Sequence, residues 1–289
     1  MNWFLFTLLA VFFLGLNDVA TKKVLRKEHA SAFLSASSAI IAILSLSLLF
    51  SGKIEAVSGS MLVLIFLKSL FASLFFTFSI MALHHLDISE FAPLMNLSPI
   101  FLLFMSVTFL KEKIGLMQLL GICLTIIGAY ILELKDGWKS PLKRIEKSKH
   151  IHFMLLGMVF ASLSAVTDRY ILIQPINLET FYLYQRIFIA ILLFGISTIF
   201  YAGYKDIIKT YKQSFIWVLI PSLLYMAGDY FYLSAVAVPT ALISLVIPVK
   251  RTSNLVATLL GGEFFGEKNL FRKTIACMIM LAGVFLIIY

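Results

Sequence analysis

Ten long apolar runs constrain the fold of this chain more than any other feature of its sequence. A helix needs about 20 largely apolar residues to cross about 30 Å of hydrocarbon, and each run approaches that length. Because 61% of the residues are apolar and 13% are charged, a water-soluble fold would lack enough polar surface. We predict ten transmembrane helices, at 3–21, 32–50, 61–83, 91–110, 116–134, 152–173, 180–202, 214–236, 239–265 and 269–289.

The runs are continuous, which favours helices over the short alternating segments of a transmembrane β-barrel. The predicted fold class is therefore an all-α integral membrane protein. The first run lacks a basic segment before it and a small-residue cleavage site, so it is interpreted as a retained span.

One long basic connector, 135–151, separates two sets of five runs, so we predict repeats at 1–134 and 152–289. Residues 155 positions apart match at several places. Because five is odd, the second set must cross the membrane in the opposite direction. Inverted repeats of this kind are typical of secondary transporters, which bind substrate near the midplane between the repeats. The matched residues are Pro93 with Pro248, Glu112-Lys113 with Glu267-Lys268, Gly128 with Gly283, and Ser79 with Ser234.

Lys and Arg predict the orientation, because they are in excess in cytoplasmic connectors. Sixteen lie on the side of the connectors that follow odd-numbered runs, and four, Lys53, Lys111, Lys113 and Arg169, lie on the opposite side. This bias places the basic connectors in the cytoplasm and both chain termini outside. The net charge of +9 is thus assigned to topology and lipid head groups, and no nucleic-acid partner is expected.

The ninth run carries the sharpest polar cluster, with Pro248, Lys250, Arg251 and Asn254 near its middle. A charge inside a span costs about 2.5–3.5 kcal/mol on insertion scales, so such groups face a cavity or a partner. Proline removes a backbone donor and interrupts the helix. Two interpretations stay open: a site for an anion or carboxylate, and a structural ion pair with a neighbouring acid.

The eighth run offers such an acid, because Asp229 lies on one helical stripe with Tyr225 and Tyr232. We expect Asp229 to pair with Lys250 or Arg251, whereas an unpaired Asp229 would be a candidate for proton coupling.

Other polar groups within the runs are weaker candidates. Asn17 is expected to line a cavity, and Arg186 to line it, to pair or to extend to the membrane interface. Lys68 is expected to reach the interface, and Asp168 to lie near a membrane surface. The fourth run carries Pro93, Asn96 and Pro99, which predict a second interrupted helix matching the ninth.

Catalytic and ligand motifs are lacking in the sequence, which shows no P-loop, nucleophile elbow or metal-ligand spacing. His84 and His85 are interpreted as interfacial polar residues, and Cys123 and Cys277 as packing residues. We therefore expect no enzyme activity, cofactor or metal.

The segment 96–132 resembles the second half of an EamA-type repeat, through Pro99, Glu112, Gly121 and Gly128. The second half repeats Glu267 and Gly283, with Asn254 and Ala276 in place of the family's Pro and first Gly. This resemblance implies a transporter of the drug/metabolite transporter superfamily, whose members move small metabolites and are often exporters. It also implies a central cavity lined by helices one, three, four, six, eight and nine, and cytoplasmic termini, which departs from the charge bias.

The sequence predicts a plasma-membrane secondary transporter of a small polar metabolite, amino-acid-like or carboxylate-bearing, working by alternating access as a monomer or weak homodimer. The alternative is a non-transporting multi-pass scaffold or enzyme subunit. The predicted substrate-binding residues are Asn17, Asn96, Arg186, Tyr225, Asp229, Tyr232, Lys250, Arg251 and Asn254, and the predicted helix breaks are at Pro93, Pro99 and Pro248.

Overall fold

The computed structural model describes residues 2–25, 28–83, 95–133, 149–200, 204–257 and 270–288, and these residues are helical except for short connections. The apolar runs form helices because a helix pairs its own backbone donors and acceptors without water. The helices are α1 Trp3–Val24, α2 Ala30–Ser45, α3 Gly59–Leu83, α4 Ser98–Phe109, α5 Leu116–Glu133, α6 Lys149–Leu172, α7 Leu178–Phe200, α8 Tyr204–Ala237, α9 Ile243–Lys250 and α10 Leu270–Ile288, with a 3-10 helix at Leu46–Ser51 after α2.

Six segments of the described chain are long and apolar enough to cross a membrane, and they lie in α1, α2 with its 3-10 extension, α3, α6, α7 and α8. Three shorter apolar helices, Ser98–Phe109, Leu116–Ile131 and Ile275–Ile288, fall below that length. The all-helical prediction is confirmed for the described residues, while the count of ten spans stays a prediction.

Two helices differ from their predicted spans. Helix α8 begins at Tyr204, ten residues before the predicted start, and kinks at Ser214, whose backbone is not helical. The Ser214 and Thr210 hydroxyls donate to the carboxylate of Glu28, at 2.6 and 2.8 Å, so a buried polar contact holds the kink. Helix α9 ends at Lys250, a turn follows at 251–252, and helix resumes at 253–257.

The helices pack mainly across the two halves of the chain. Helix α5 packs on α10, α1 on α8, and α3 on α6; α2 packs on α7 and α8, and α3 also packs on α7. Helix α4 packs on α6, α1 packs on α9, and α4 also contacts α9. Each of these contacts is matched by another of them, or by itself, when every helix is exchanged for the one five places along. A smaller contact between α5 and α9 has no such match among the described residues.

The α5–α10 contact depends on small residues. A Cβ atom at Gly121 would lie 2.6 Å from the carbonyl oxygen of Gly283, and one at Gly128 would lie 2.9 Å from that of Ala276. Both distances are shorter than side chains tolerate, so the two backbones approach as closely as these residues permit. Small residues allow this close packing in membranes, where helix association depends on van der Waals contact.

Candidate functional site

A cavity of about 140 Å³ lies between helices from both halves of the chain. It combines six charged side chains with two tyrosines, serines and apolar groups. Buried charges are costly, so this concentration marks the cavity as the main candidate site. The charged and tyrosine residues that line it are Lys68, Asp168, Arg186, Tyr225, Asp229, Tyr232, Lys250 and Arg251.

One wall of the cavity contains an ion pair between α3 and α6. The Lys68 ammonium lies 3.0 Å from a carboxylate oxygen of Asp168, and both side chains are buried. Lys68 also donates to the side-chain oxygen of Gln185 on α7. The expectations that Lys68 reaches the interface and that Asp168 lies near a surface are therefore wrong, because each satisfies the other's charge inside the bundle.

A second ion pair joins α7 to α8 on the same wall, between Arg186 and Asp229. The Arg186 guanidinium also lies 4.9 Å from the ring centre of Tyr182 and 5.2 Å from that of Tyr225. Aromatic faces attract cations, so both rings support its charge. The predicted pairing of Asp229 with Lys250 or Arg251 is wrong, because Arg186 takes this carboxylate.

Another wall of the cavity, at the end of α9, presents two cations in a different state. The Lys250 ammonium lies 3.7 Å from the ring centre of Tyr232, and Arg251 donates to the Ser98 hydroxyl at 2.6 Å. Within the described residues, neither forms an ion pair. The buried Nε of Arg251 also has no hydrogen-bond partner there. These two cations are the least neutralised charges of the cavity.

The interrupted helices place these two cations at the cavity. Helix α9 continues past Pro248 and ends at Lys250, and the following turn directs Arg251 towards α4. The fourth segment is also interrupted, by a turn at 96–97, and Pro99 lies in the first turn of α4. Pro93 lies outside the described residues. Both described segments are thus interrupted, at turns that lie near Pro99 and Pro248 and not at these residues.

Two amides connect the interrupted segments. The Asn254 side chain donates to the side-chain oxygen of Asn96 at 2.9 Å, and Asn96 donates to the carbonyl oxygen of Ala129 at 2.9 Å. Neither amide lines the cavity. Their geometry supports the helix breaks, which leave backbone groups in need of partners.

The turn between α8 and α9 is held from both sides by buried charged residues. Glu112, in the connection between α4 and α5, accepts from the backbone amides of Ile243 and Ser244 at 2.7 and 3.1 Å. Arg169 donates to the carbonyl oxygens of Val238 and Pro239 at 2.8 and 2.7 Å. Helix termini leave such backbone groups unpaired, so the two side chains fix where α8 ends and α9 begins.

Six of the nine predicted site residues line the cavity, and three do not. Asn17 lies on α1 and accepts a hydrogen bond from Thr21 at 3.3 Å, while Asn96 and Asn254 contact each other. Helix α7 lines the cavity in the place where the resemblance implied α1. The lining predicted residues are Arg186, Tyr225, Asp229, Tyr232, Lys250 and Arg251.

Sequence reasoning missed Lys68, Asp168 and Ser98 as cavity residues. Depth along the helix would have identified Lys68. It lies nine residues after the start of α3, about 13 Å into the helix, which exceeds the reach of a lysine side chain. Ser98 carries no comparable signal. Among the described residues, no group of three His, Cys, Asp or Glu could hold a metal ion.

Comparisons with known proteins agree with this architecture. The model of the EamA-like transporter family matches residues 1–134, which confirms for this half the resemblance predicted from the sequence. The fold is similar to that of a protein of known crystal structure, with a TM-score of 0.75 over 98% of this chain and 95% of that chain. The two sequences are 14% identical, so the similarity shows the fold alone. No curated protein matches the sequence.

Proposed function

We propose that this chain, whose residues 1–134 match the EamA-like transporter family, is a secondary transporter working by alternating access. The proposed substrate is a small polar metabolite that carries a carboxylate or a similar anionic group. The family match supports a membrane transporter of the drug/metabolite transporter superfamily. The substrate class rests on the cavity.

The observation that carries the proposal is a charged cavity enclosed by helices from both halves. Lys68, Arg186 and Asp229 lie two or more turns from the ends of α3, α7 and α8. Lys250 and Arg251 lie at the end of the interrupted α9. In a membrane, ionisable groups at such depth are costly and mark substrate or ion pathways. A purely structural bundle would gain nothing from two cations without carboxylate partners.

The helix packing supports an inverted repeat of five plus five helices. Contacts recur when each helix is exchanged for the one five places along, as a two-fold relation between halves requires. The turn at 96–97 also lies 155 residues before the turn at 251–252, the offset seen in the sequence. Rocking of one repeat against the other around a central site is the usual transport movement of such folds.

The proposed roles follow from the two walls. Lys250 and Arg251 attract the anionic group of the substrate, and Tyr225 and Tyr232 orient it. The Lys68–Asp168 and Arg186–Asp229 pairs hold the bundle around the cavity. Asn96 and Asn254, predicted as ligands, are assigned instead to bracing the helix breaks.

Purified protein in liposomes tests the activity. A thermal-shift panel of small carboxylates and amino acids would first identify a stabilising ligand, because binding to the folded state raises its stability. Uptake of that labelled ligand, and its exchange with unlabelled ligand inside, should then exceed that of empty liposomes. Ligand binding without flux would instead support the non-transporting scaffold or enzyme subunit.

The proposed orientation places the basic connectors in the cytoplasm and both termini outside. One contact in the described structure supports placing the connection before α3 and the connection before α7 on the same side of the membrane. Lys53, before α3, pairs with Glu179, at the start of α7, at 3.0 Å. A C-terminal reporter that works only in the cytoplasm should therefore stay silent, whereas strong signal would reverse the orientation.

A further inference from the structure

The numbers of cations and carboxylates in the cavity indicate how many negative charges its ligand carries. Among its lining residues are four cations and two carboxylates. Lys68 and Arg186 each pair with one carboxylate, so Lys250 and Arg251 leave two positive charges. The two paired carboxylates, Asp168 and Asp229, also act on Lys250 through space, and Asp18, outside the lining, acts on Arg251.

Hydrogen-bonding capacity agrees with the balance of charge. Arg251 uses one terminal nitrogen on Ser98, while its buried Nε is unpartnered within the described chain. Guanidinium groups favour paired contacts with carboxylate and phosphate oxygens. Lys250 contacts an aromatic face, which supports its charge without neutralising it. Both groups therefore retain capacity for an anionic ligand.

Apolar residues also line the cavity, and they indicate which uncharged groups the ligand carries. Ala72, Phe75 and Phe76 line the cavity from α3, on the side of Lys68 that leads to the end of the helix. Ala161 of α6 and Ile189 of α7 also line it. The cavity thus combines charged and apolar lining groups, which suits a molecule with a charged head and an uncharged body.

We propose that the cavity selects a substrate whose head group carries two negative charges, as in a dicarboxylate or phosphomonoester, over one that carries a single charge. This inference rests on the proposed transport function and sharpens its substrate class. A single charge would leave one of the two cations unpaired in a partly buried site, and an unpaired buried charge is costly. A doubly charged head neutralises both.

Matched ligands test the charge requirement on the purified full-length protein. Succinate and succinamate differ by one charge at nearly equal size, as do phenyl phosphate and its methyl ester. Dissociation constants from ligand-dependent thermal shifts should favour the doubly charged member by about tenfold in each pair, because hydrogen bonds to charged groups are stronger than those to neutral groups. The two pairs also separate a dicarboxylate from a phosphomonoester as the preferred head group.

Two single neutralisations make the test specific to the cavity. Lys250→Gln and Arg251→Gln each remove one positive charge, so each should reverse or abolish the preference for the doubly charged ligand. Lys209→Gln, an exposed lysine before the Ser214 kink, should keep the wild-type preference. Melting temperatures without ligand would show that each variant is folded, and either single variant suffices for the comparison.

The outcomes separate this inference from the proposed function. Equal binding of singly and doubly charged ligands, or a preference that neither neutralisation changes, would overturn the selection of two charges and leave transport of an anion standing. Stabilisation by none of the four anions would count against both the anion site and the inference.

Discussion

The two walls of the cavity hold the same types of cation in opposite states. On the wall formed by α3, α6, α7 and α8, Lys68 and Arg186 are buried and each pairs with a carboxylate. On the wall formed by α4 and α9, Lys250 and Arg251 rest on a ring and a hydroxyl. Removing one partner of a buried pair is strongly destabilising, whereas removing an unpaired charge relieves a cost. The same substitution should therefore damage folding on one wall and function on the other.

The largest expected effect on stability is at the paired wall. Asp229→Asn leaves the buried Arg186 without its counter-charge and should lower the free energy of unfolding by about 3–5 kcal/mol. Unfolding of the purified protein in detergent, followed by fluorescence, measures this loss. The double variant Arg186→Gln/Asp229→Asn should recover part of it, and wild-type stability of the single variant would contradict the structural role of the pair.

A smaller loss is expected at Glu112, which anchors the unpaired wall to the rest of the bundle. Glu112→Ala leaves the amides of Ile243 and Ser244 without their acceptor, at a cost of about 2 kcal/mol. Glu112→Gln keeps one acceptor oxygen and should lie between the alanine variant and the wild type. Equal melting temperatures for all three proteins would show that the contact does not hold the start of α9.

The contact between the two interrupted segments should contribute less. Asn254→Ala removes one neutral hydrogen bond to Asn96, so the expected loss of stability is about 1 kcal/mol. Asn96→Ala should cost more, because it also removes the bond to the carbonyl of Ala129. The reverse order in melting temperatures would place the bracing role on Asn254 alone.

The smallest expected effect on stability is at the unpaired wall. Lys250→Met should leave the free energy of unfolding within about 1 kcal/mol of wild type, or raise it, because no carboxylate loses a partner. The same unfolding measurement applies, with Lys68→Met as the matched change on the paired wall. A loss as large as that of Lys68→Met would erase the distinction between the walls.

The approximate position of each helix could be predicted, because the length of an apolar run and the cost of a charge within it depend only on residues close in sequence. A helix break was predicted at Pro248, whereas α9 continues past it and the turn lies at 251–252. Gly121, Gly128 and Gly283 were singled out by the family resemblance and the repeat, and the structure gives them close backbone contacts. The pairing of charges could not be predicted. Asp229 turns to Arg186 rather than to Lys250, although both neighbouring helices offer a cation. Which helices meet, and which faces they present, depends on packing that hydropathy does not encode.

The resemblance to a known family fixed the architecture better than the site. It implied α1 as a lining helix, whereas α7 lines the cavity and brings Arg186 with it. Function is therefore argued from the site and not from the fold.

The most direct test of the account is flux through the two cations. Proteoliposomes containing wild type, Lys250→Ala, Arg251→Ala or the control Lys53→Ala would be assayed with the ligand that stabilises the wild type best. We expect both cavity variants to melt near the wild-type temperature yet lose most transport, and Lys53→Ala to retain it. Unchanged flux in both Lys250→Ala and Arg251→Ala would contradict the proposal that these cations bind the transported substrate.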